Sequence, residues 1–353
     1  MRVDILEQII LIPAFKPDEK IVILIKRLFS EGFRRVIVVD DGSGEGYVDI
    51  FMRLREMGCI VERHEKNLGK GAAFKTAFAA AVKKFGKENR YITADADGQH
   101  LPEDIRKVAE AMNQNPDTLV LGVRDFGSGN VPIRSLLGNR ITSVFFRLVC
   151  GRKCPDTQTG LRGIPQGLTD LALSAEGTRY EYEMNFLMDA VLKVPFVYVP
   201  IETVYEDDNK ESHFRPVSDS LLVYGRFLRF AASSLMGFLI DYSLFRILLE
   251  KVFVSTLSPY IFLATAIARV CSGIVNFLLN RRWSFHSRQP AGGELIRYLL
   301  LFIWQMAASG GMVSALSHIF IPVPAAKIIV DTVLFFVSFR IQKDWVFRNR
   351  ILR

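Results

Sequence analysis

Four long apolar stretches follow Phe227, and they restrict the possible folds of this chain more than any other feature: Leu228 to Leu249, Tyr260 to Leu279, Leu295 to His318 and Val323 to Ile341. Each is close to the roughly 20 residues that a helix needs to cross a bilayer core. Arg281, Arg282, Arg288 and Arg297 fall between the second and third stretches, and Arg340, Lys343, Arg348, Arg350 and Arg353 follow the fourth. The other two connections carry mainly Lys251 and Lys327. Basic residues stay on the cytoplasmic side, so both ends of the chain are expected there. The opening Met1-Arg2-Val3-Asp4 does not read as a secretory signal, which agrees. Asp241, Arg269 and Asp331 sit near the middles of apolar stretches. One such charge costs on the order of 2.5–3.5 kcal/mol at a helix centre, so Arg269 is expected to meet Asp241 or Asp331. Ala307-Ala308-Ser309-Gly310-Gly311 allows close helix approach.

The part before Phe227 has a different character. With 353 residues the chain is too long for one ordinary core, and two domains are expected. Net charge is +8, but the basic residues form no single block, so no nucleic-acid partner is expected. Cys59, Cys150, Cys154 and Cys271 are scattered and read as free thiols in a reducing compartment; Cys150 and Cys154 would need two more ligands to hold a metal.

Strand and helix patterns alternate at short intervals here. Glu7–Ala14, Arg34–Val39, Cys59–Glu62, Arg90–Ala94 and Asp117–Val123 read as strands. Asp18–Ser30, Gly46–Met57 and Ala72–Lys84 read as helices, and Pro102 starts another. This alternation predicts an α/β domain with a mostly parallel sheet and helices on both faces.

Two of the strands end in acidic loops, Asp40-Asp41-Gly42-Ser43 and Asp95-Ala96-Asp97-Gly98-Gln99-His100. Strand ends in open α/β sheets are where ligands bind. Carboxylates two residues apart can face the same way, and they repel unless a cation lies between them. A hard ion such as Mg²⁺ takes one or two carboxylates and completes its shell with water and phosphate oxygens. Gly69-Lys70-Gly71 at a helix start lets the backbone approach a ligand and adds a positive charge. Any one of these would ordinarily be a turn or a helix cap. Together they suggest a nucleotide-diphosphate site. Neither G-x-G-x-x-G nor a Walker sequence occurs, so dinucleotide and ATP folds gain no support.

Val38-Val39-Asp40-Asp41-Gly42-Ser43, Asn67-Leu68-Gly69-Lys70-Gly71 and Asp95-Ala96-Asp97-Gly98-Gln99-His100 resemble, in that order, the motifs of inverting GT-A glycosyltransferases of family 2. The similarity is to the dolichol-phosphate mannose synthase and polyprenyl-phosphate glucosyltransferase group, and it covers roughly Glu7 to Glu206. The resemblance implies that Asp40 and Asp41 hold the nucleoside, with Pro13, Gly69, Lys70 and Asp95 also at the nucleotide. It implies that Asp95, Asp97 and Gln99 surround Mg²⁺ or Mn²⁺. Where members carry Asn-Glu, this chain has Asp18-Glu19. Gly122-Val123-Arg124 resembles the family's Gly-x-Arg, implying a phosphate-facing Arg124, and Asp156-Thr157-Gln158-Thr159-Gly160 its Asp-x-x-x-Gly segment near the acceptor. Arg215, with His213 beside it, lies where members place basic residues for the acceptor phosphate. Lys16, Arg134, Arg140 and Arg162 read as surface charges. Asn276 to Phe285 and Gln342 to Phe347 resemble the GtrA-like four-helix membrane family, and these two related endings suggest two helix-pair repeats.

The expected organisation is therefore a GT-A domain over 1–210, an interfacial helix over 211–227 and a four-helix membrane domain over 228–353. The resemblance implies transfer of mannose or glucose from a GDP- or UDP-linked sugar to a polyprenyl or dolichyl phosphate. It places a multi-pass protein in the cell (inner) membrane, with catalysis on the cytoplasmic face. Catalytic roles are expected for Asp97, Asp156, Arg124 and Arg215. Two rivals differ in class. A processive polysaccharide synthase would carry Gln-x-x-Arg-Trp, which is absent: Arg281-Arg282-Trp283 lacks the Gln. A glycolipid flippase would use the four helices for transport and the front domain as a loader.

Overall fold

A computed structural model describes residues 7–125, 133–202, 222–253, 258–287, 289–317 and 322–347. The chain forms two compact units, Met1–Val223 and Tyr224–Arg353.

The first unit is built on seven strands: β1 (Ile9–Ala14), β2 (Arg35–Asp40), β3 (Ile60–Arg63), β4 (Tyr91–Thr93), β5 (Leu119–Arg124), β6 (Arg162–Ile164) and β7 (Phe196–Ile201). They lie in the order β3-β2-β1-β4-β6-β5-β7. Strand β1 is buried along its whole length, as its unbroken Ile9-Ile10-Leu11-Ile12 run requires of a central parallel strand covered on both faces. Strands β1, β2, β3 and β4 pair in parallel, and β5 pairs in parallel with β7. Strand β6 runs antiparallel between β4 and β5, with Arg162 opposite both Thr93 and Leu121. This inserted strand has only three residues, too short for a period to show, and it is absent from the pattern read off the sequence.

The helices are α1 (Glu19–Ser30), α2 (Val48–Glu56), α3 (Lys70–Phe85), α4 (Pro102–Gln114), α5 (Ile133–Cys150), α6 (Thr169–Ser174) and α7 (Glu181–Ala190). Asp18 caps α1 by accepting from Lys20 N at 2.8 Å, and Glu19 forks with Arg53, so this acidic pair serves the helix and the surface. Helix α5 exposes Leu137, Ile141, Val144 and Leu148, spaced at i, i+4, i+7 and i+11. That is one apolar stripe turned outward, which a water-facing helix does not carry without a purpose.

The second unit consists of α8 (Gly225–Ile247), α9 (Ser258–Leu279), α10 (Ala291–Ser317) and α11 (Val323–Ile341). Among the described residues three helical segments are long and apolar enough to cross a membrane: Gly225–Val252, Pro259–Ser284 and Ala291–Leu316. Helix α11 has 19 residues and carries three charged side chains, Lys327, Asp331 and Arg340. Of the two pairings open to Arg269, the structure has Asp241, at 3.6 Å; Asp331 pairs with Lys327 at 3.0 Å.

The two repeat endings meet. Helices α9 and α11 each run on into a five-residue π-helical turn, Asn280–Ser284 and Gln342–Val346. Asn280 and Gln342 occupy the same place in the two motifs, and Asn280 Nδ2 donates to Gln342 Oε1 at 3.0 Å. Phe285 and Phe347, also equivalent, stack with centroids 5.2 Å apart. Trp283 and Trp345 both point outward, as tryptophans at a membrane interface do. Asn280 is fully buried; it also donates to Asn276 Oδ1 at 2.5 Å and accepts from Ser233 and Ser284. Gln342 Nε2 continues the network to Ser338, which donates to Gln305, so all four helices contribute a polar side chain. Interhelical hydrogen bonds in membranes average about 0.6 kcal/mol each. Asn280→Leu breaks several at once and strands Gln342, so it is expected to cost about 2 kcal/mol and to lower the melting temperature of the detergent-solubilised protein.

Candidate functional site

Parallel pairing brings the carboxyl ends of β1, β2 and β4 to one rim: Ala14 lies opposite Asp40, and Leu11 opposite Thr93. Both acidic loops therefore open on the same side of the sheet, where ligands collect in open α/β folds. Strand β5 ends there at Arg124. Because β6 is antiparallel it begins at that rim, so the Asp156–Leu161 segment that feeds it is delivered there too.

The first acidic loop serves the loop beside it. Asp41 is buried, and its carboxylate accepts from Leu68 N (2.9 Å), Gly69 N (2.8 Å) and the His64 ring (2.7 Å). The opposite ring nitrogen of His64 is 2.9 Å from the Thr76 hydroxyl. Asp41 thus fixes the Asn67–Gly71 loop against α3. Asp40 accepts from Ser43 N at 2.8 Å and pairs with Arg63 at 3.3 Å, at the edge of a small recess that Val48, Phe51 and Val61 also line. Pro13, in β1, is buried opposite Val39.

The second acidic loop holds the densest charge. Lys70, the first residue of α3, places Nζ 2.8 Å from Asp95 and 3.1 Å from Glu183 of α7. Burial opposes ionisation of Asp95, but the Lys70 ammonium, His100 and Arg162 outweigh it and hold the carboxyl well below its usual range. Asp97 behaves oppositely: desolvation in the loop and the neighbouring Asp95 charge push it up, against one hydrogen bond from Gln99 N at 3.0 Å. His100 accepts from Asp95 N at 2.9 Å and closes the turn. A Cβ on Gly160 would lie 2.3 Å from Asp95 Oδ2, so only glycine lets the β6 lead-in pass behind that carboxylate.

Arg124 and Asp156 are a single unit. Nε and Nη2 of Arg124 reach the two Asp156 oxygens at 2.7 and 2.9 Å, and Gln158 N donates to Oδ1 at 3.1 Å. Asp156 is fully buried. Such a bidentate pair fixes the guanidinium plane.

Arg162 does not stand as the surface charge expected of it. It is buried and donates to the carbonyls of Thr159 (2.9 Å), Glu183 (2.8 Å) and Thr157 (3.5 Å). It is the first residue of β6, and the sheet covers it from both sides. Lys16 and Arg140 are exposed. Arg134 falls in the first turn of α5, while His213, Arg215 and most of the expected interfacial helix lie outside the described residues. Glu183 and His64 went unread because neither belongs to a spaced motif. Cys150 and Cys154 are buried free thiols, and burial pushes Cys154 up to about 12, so it is inert.

Among the described residues no three His, Cys, Asp or Glu side chains gather around one point. The second acidic loop offers a divalent ion two carboxylates, Asp95 and Asp97, with Gln99 beside them. In this set one carboxylate is clamped by an ammonium and the other is destabilised by its neighbour. The set fits a hard ion shared with phosphate oxygens.

A mixed, mostly parallel sheet with acidic loops and a buried arginine on one rim, in a chain that continues into apolar helices, defines a membrane-associated GT-A-type protein. Residues 9–169 match the description "Glycosyl transferase family 2", and residues 229–347 match "GtrA/DPMS, transmembrane domain". The chain is 31% identical over 206 residues to an uncharacterized protein of Methanocaldococcus jannaschii, covering 57% of this chain and 83% of that one. It is 30% identical over 219 residues to the UDP-N-acetylglucosamine–dolichyl-phosphate N-acetylglucosaminyltransferase of Methanococcus voltae, covering 56% and 86%. It is 26% identical over 209 residues to the polyprenol monophosphomannose synthase of Mycolicibacterium smegmatis, covering 55% and 78%. The chain belongs to glycosyl transferase family 2 and is a glycosyltransferase with a GtrA/DPMS transmembrane domain.

Proposed function

We propose that this enzyme moves a hexose from a nucleotide sugar to a polyprenyl phosphate, with inversion, on the cytoplasmic face of the membrane. The observation that carries the reading is the joining, in one chain, of the charged rim of Asp95, Asp97 and Arg124 to a GtrA/DPMS transmembrane domain. The names of two relatives, one acting on dolichyl phosphate and one on a polyprenol, support a lipid phosphate acceptor. The basic residues after α9 and α11 support the cytoplasmic orientation, and the apolar stripe of α5 suits a lipid surface.

The leaving group is a nucleoside diphosphate, and negative charge grows on it as the sugar bond breaks. Asp95, Asp97 and Gln99 would hold a Mg²⁺ or Mn²⁺ that supplies a Lewis acid for that charge. Asp41 orients the Asn67–Gly71 loop, which leads into the start of α3 and its Lys70. Asp40 lies at the nucleoside end of the rim. The acceptor is a phosphate monoester with a second pKa of about 6, already mostly ionised at neutral pH. It needs little from a general base. It does need cations to meet a second anion, and Arg124 is held ready for this by Asp156; Arg215 is assigned the same task.

Transfer of labelled sugar from GDP-mannose, UDP-glucose or UDP-N-acetylglucosamine to polyprenyl phosphate, with and without EDTA, tests the reading. Chelator-insensitive or absent transfer overturns it. Asp156→Asn keeps one acceptor for Arg124 and is expected to lower kcat/KM only about tenfold, mostly through the lipid KM. A dead Asp156→Asn that still binds acceptor would instead make Asp156 the base.

A further inference from the structure

Lys70 and Arg162 both act on Asp95, beside His100, and the two differ in freedom. Arg162 is buried with its guanidinium spent on three backbone carbonyls, so it is a permanent charge. Lys70 is a compact ammonium on a four-carbon stem, and it has no backbone carbonyl among its ion-pair partners. It is shared between Asp95 and Glu183 and is partly exposed at the rim. Glu183 itself is anchored, because Arg162 holds its carbonyl at 2.8 Å. The Phe74 and Tyr180 rings, 5.8 and 6.0 Å from Nζ, flank the path of the side chain. A fixed acid, a fixed arginine and a movable lysine between two carboxylates are the parts of an exchange.

We propose that Lys70 is an exchangeable counter-cation: in the donor-free enzyme it occupies an Asp95 oxygen with Glu183 retaining the ammonium, and it passes to the donor's diphosphate when a divalent ion takes over Asp95. The inference rests on the assignment of Asp95 and Asp97 to a divalent ion. The physical need is continuous. Asp95 repels Asp97 and shares the Lys70 ammonium with Glu183, and acids so linked require a positive charge at every stage. A lysine that leaves with the arrival of the metal satisfies that need without blocking the ligand position, and it delivers a charge to the incoming anion. Glu183 is thus a positioning residue that acts through Lys70. Its separation from the nucleotide motifs in sequence, and its contact with Lys70 in space, are the observations behind that role.

The exchange predicts opposite signs for two measurements on one variant. Mn²⁺ binding is read by electron paramagnetic resonance on the full chain in detergent, first alone and then with GDP or UDP. Lys70→Met removes a competitor, so binding of Mn²⁺ alone is expected to tighten by about fivefold. With nucleotide present the same variant is expected to bind the metal–nucleotide pair about tenfold more weakly. Glu183→Gln leaves Lys70 on Asp95 alone and is expected to weaken Mn²⁺ binding several-fold, an effect that vanishes in the Lys70→Met background. Lys70→Gln provides a second variant if Lys70→Met does not fold. Weaker or unchanged binding of Mn²⁺ alone in both lysine variants, with wild type binding normally, overturns the exchange. A purely structural role would weaken every measurement together. Wild type that binds no Mn²⁺ with or without nucleotide overturns the metal assignment itself, a separate result.

Discussion

Asp97→Ala is expected to remove nearly all sugar transfer, by about 10³-fold or more in kcat, while leaving the fold intact. Asp97 lies at the open edge of the rim, outside the buried core, so its loss leaves no cavity and no stranded partner beyond one N–H of Gln99. Its ionised form is costly in the resting enzyme, where desolvation and the Asp95 charge both raise it. Carboxylates shifted in this way collect at functional sites. The pH dependence has a definite sign. An unperturbed Asp titrates at about 3.9. Asp97 is raised above that, so it takes up a proton at a higher pH than an ordinary carboxylate would, and that proton competes with a bound cation. Retention of Mn²⁺ by wild type should therefore weaken as pH falls, starting above the ordinary carboxylate range. In Asp97→Asn this component should disappear. Metal binding that is flat with pH in wild type, or unchanged in Asp97→Ala, would detach Asp97 from the metal.

The residues of this rim differ in how plainly the sequence announces them. Asp40, Asp41, Asp95 and Asp97 follow apolar runs and precede helix starts, and parallel pairing does the rest: strands that run the same way must end on the same side. The apolar stretches were equally plain, because a span of about 20 residues has no soluble use. Arg162 was hidden for a physical reason. A three-residue antiparallel strand carries no period, and a lone arginine is ordinarily solvated. Only when β6 slots between β4 and β5 does Arg162 become buried and Asp156 come within reach of Arg124. Asp41 shows the reverse. Its motif resembles one that implies nucleotide binding, yet its oxygens are committed to His64, Leu68 and Gly69, so in the structure it shapes a loop. The equivalence of Asn280 and Gln342 was visible as two related endings, but their hydrogen bond and the stacking of Phe285 on Phe347 are properties of the packed bundle.

Gly160→Ala should lower kcat/KM by about 10²-fold or more, although it adds only a single methyl group. The new Cβ would stand 2.3 Å from Asp95 Oδ2 and 2.9 Å from its Cγ, distances that no real side chain tolerates. One of the two must move. Gly160 is held by its carbonyl, which accepts from Thr93 Oγ at 2.7 Å, and Leu161 next to it accepts from Gly122 N at 2.9 Å. The segment is thus tied to β4 on one side and β5 on the other. The Asp95 side chain is the softer partner, and it would swing off the Lys70 ammonium and out of line with Asp97. Displacement of about 1 Å is enough to spoil the proposed site, in which two carboxylates converge on one cation. Because the sheet stays paired, the melting temperature should fall little, and Mn²⁺ affinity should fall together with activity. Gly160→Ser should behave alike, and Asp95→Gly in the Gly160→Ala background should give no further loss, since the same carboxylate is already lost to the site. Full activity in Gly160→Ala would mean that Asp95 is free to adopt another position and still work, and the rim would then be far less rigid than its hydrogen bonds require.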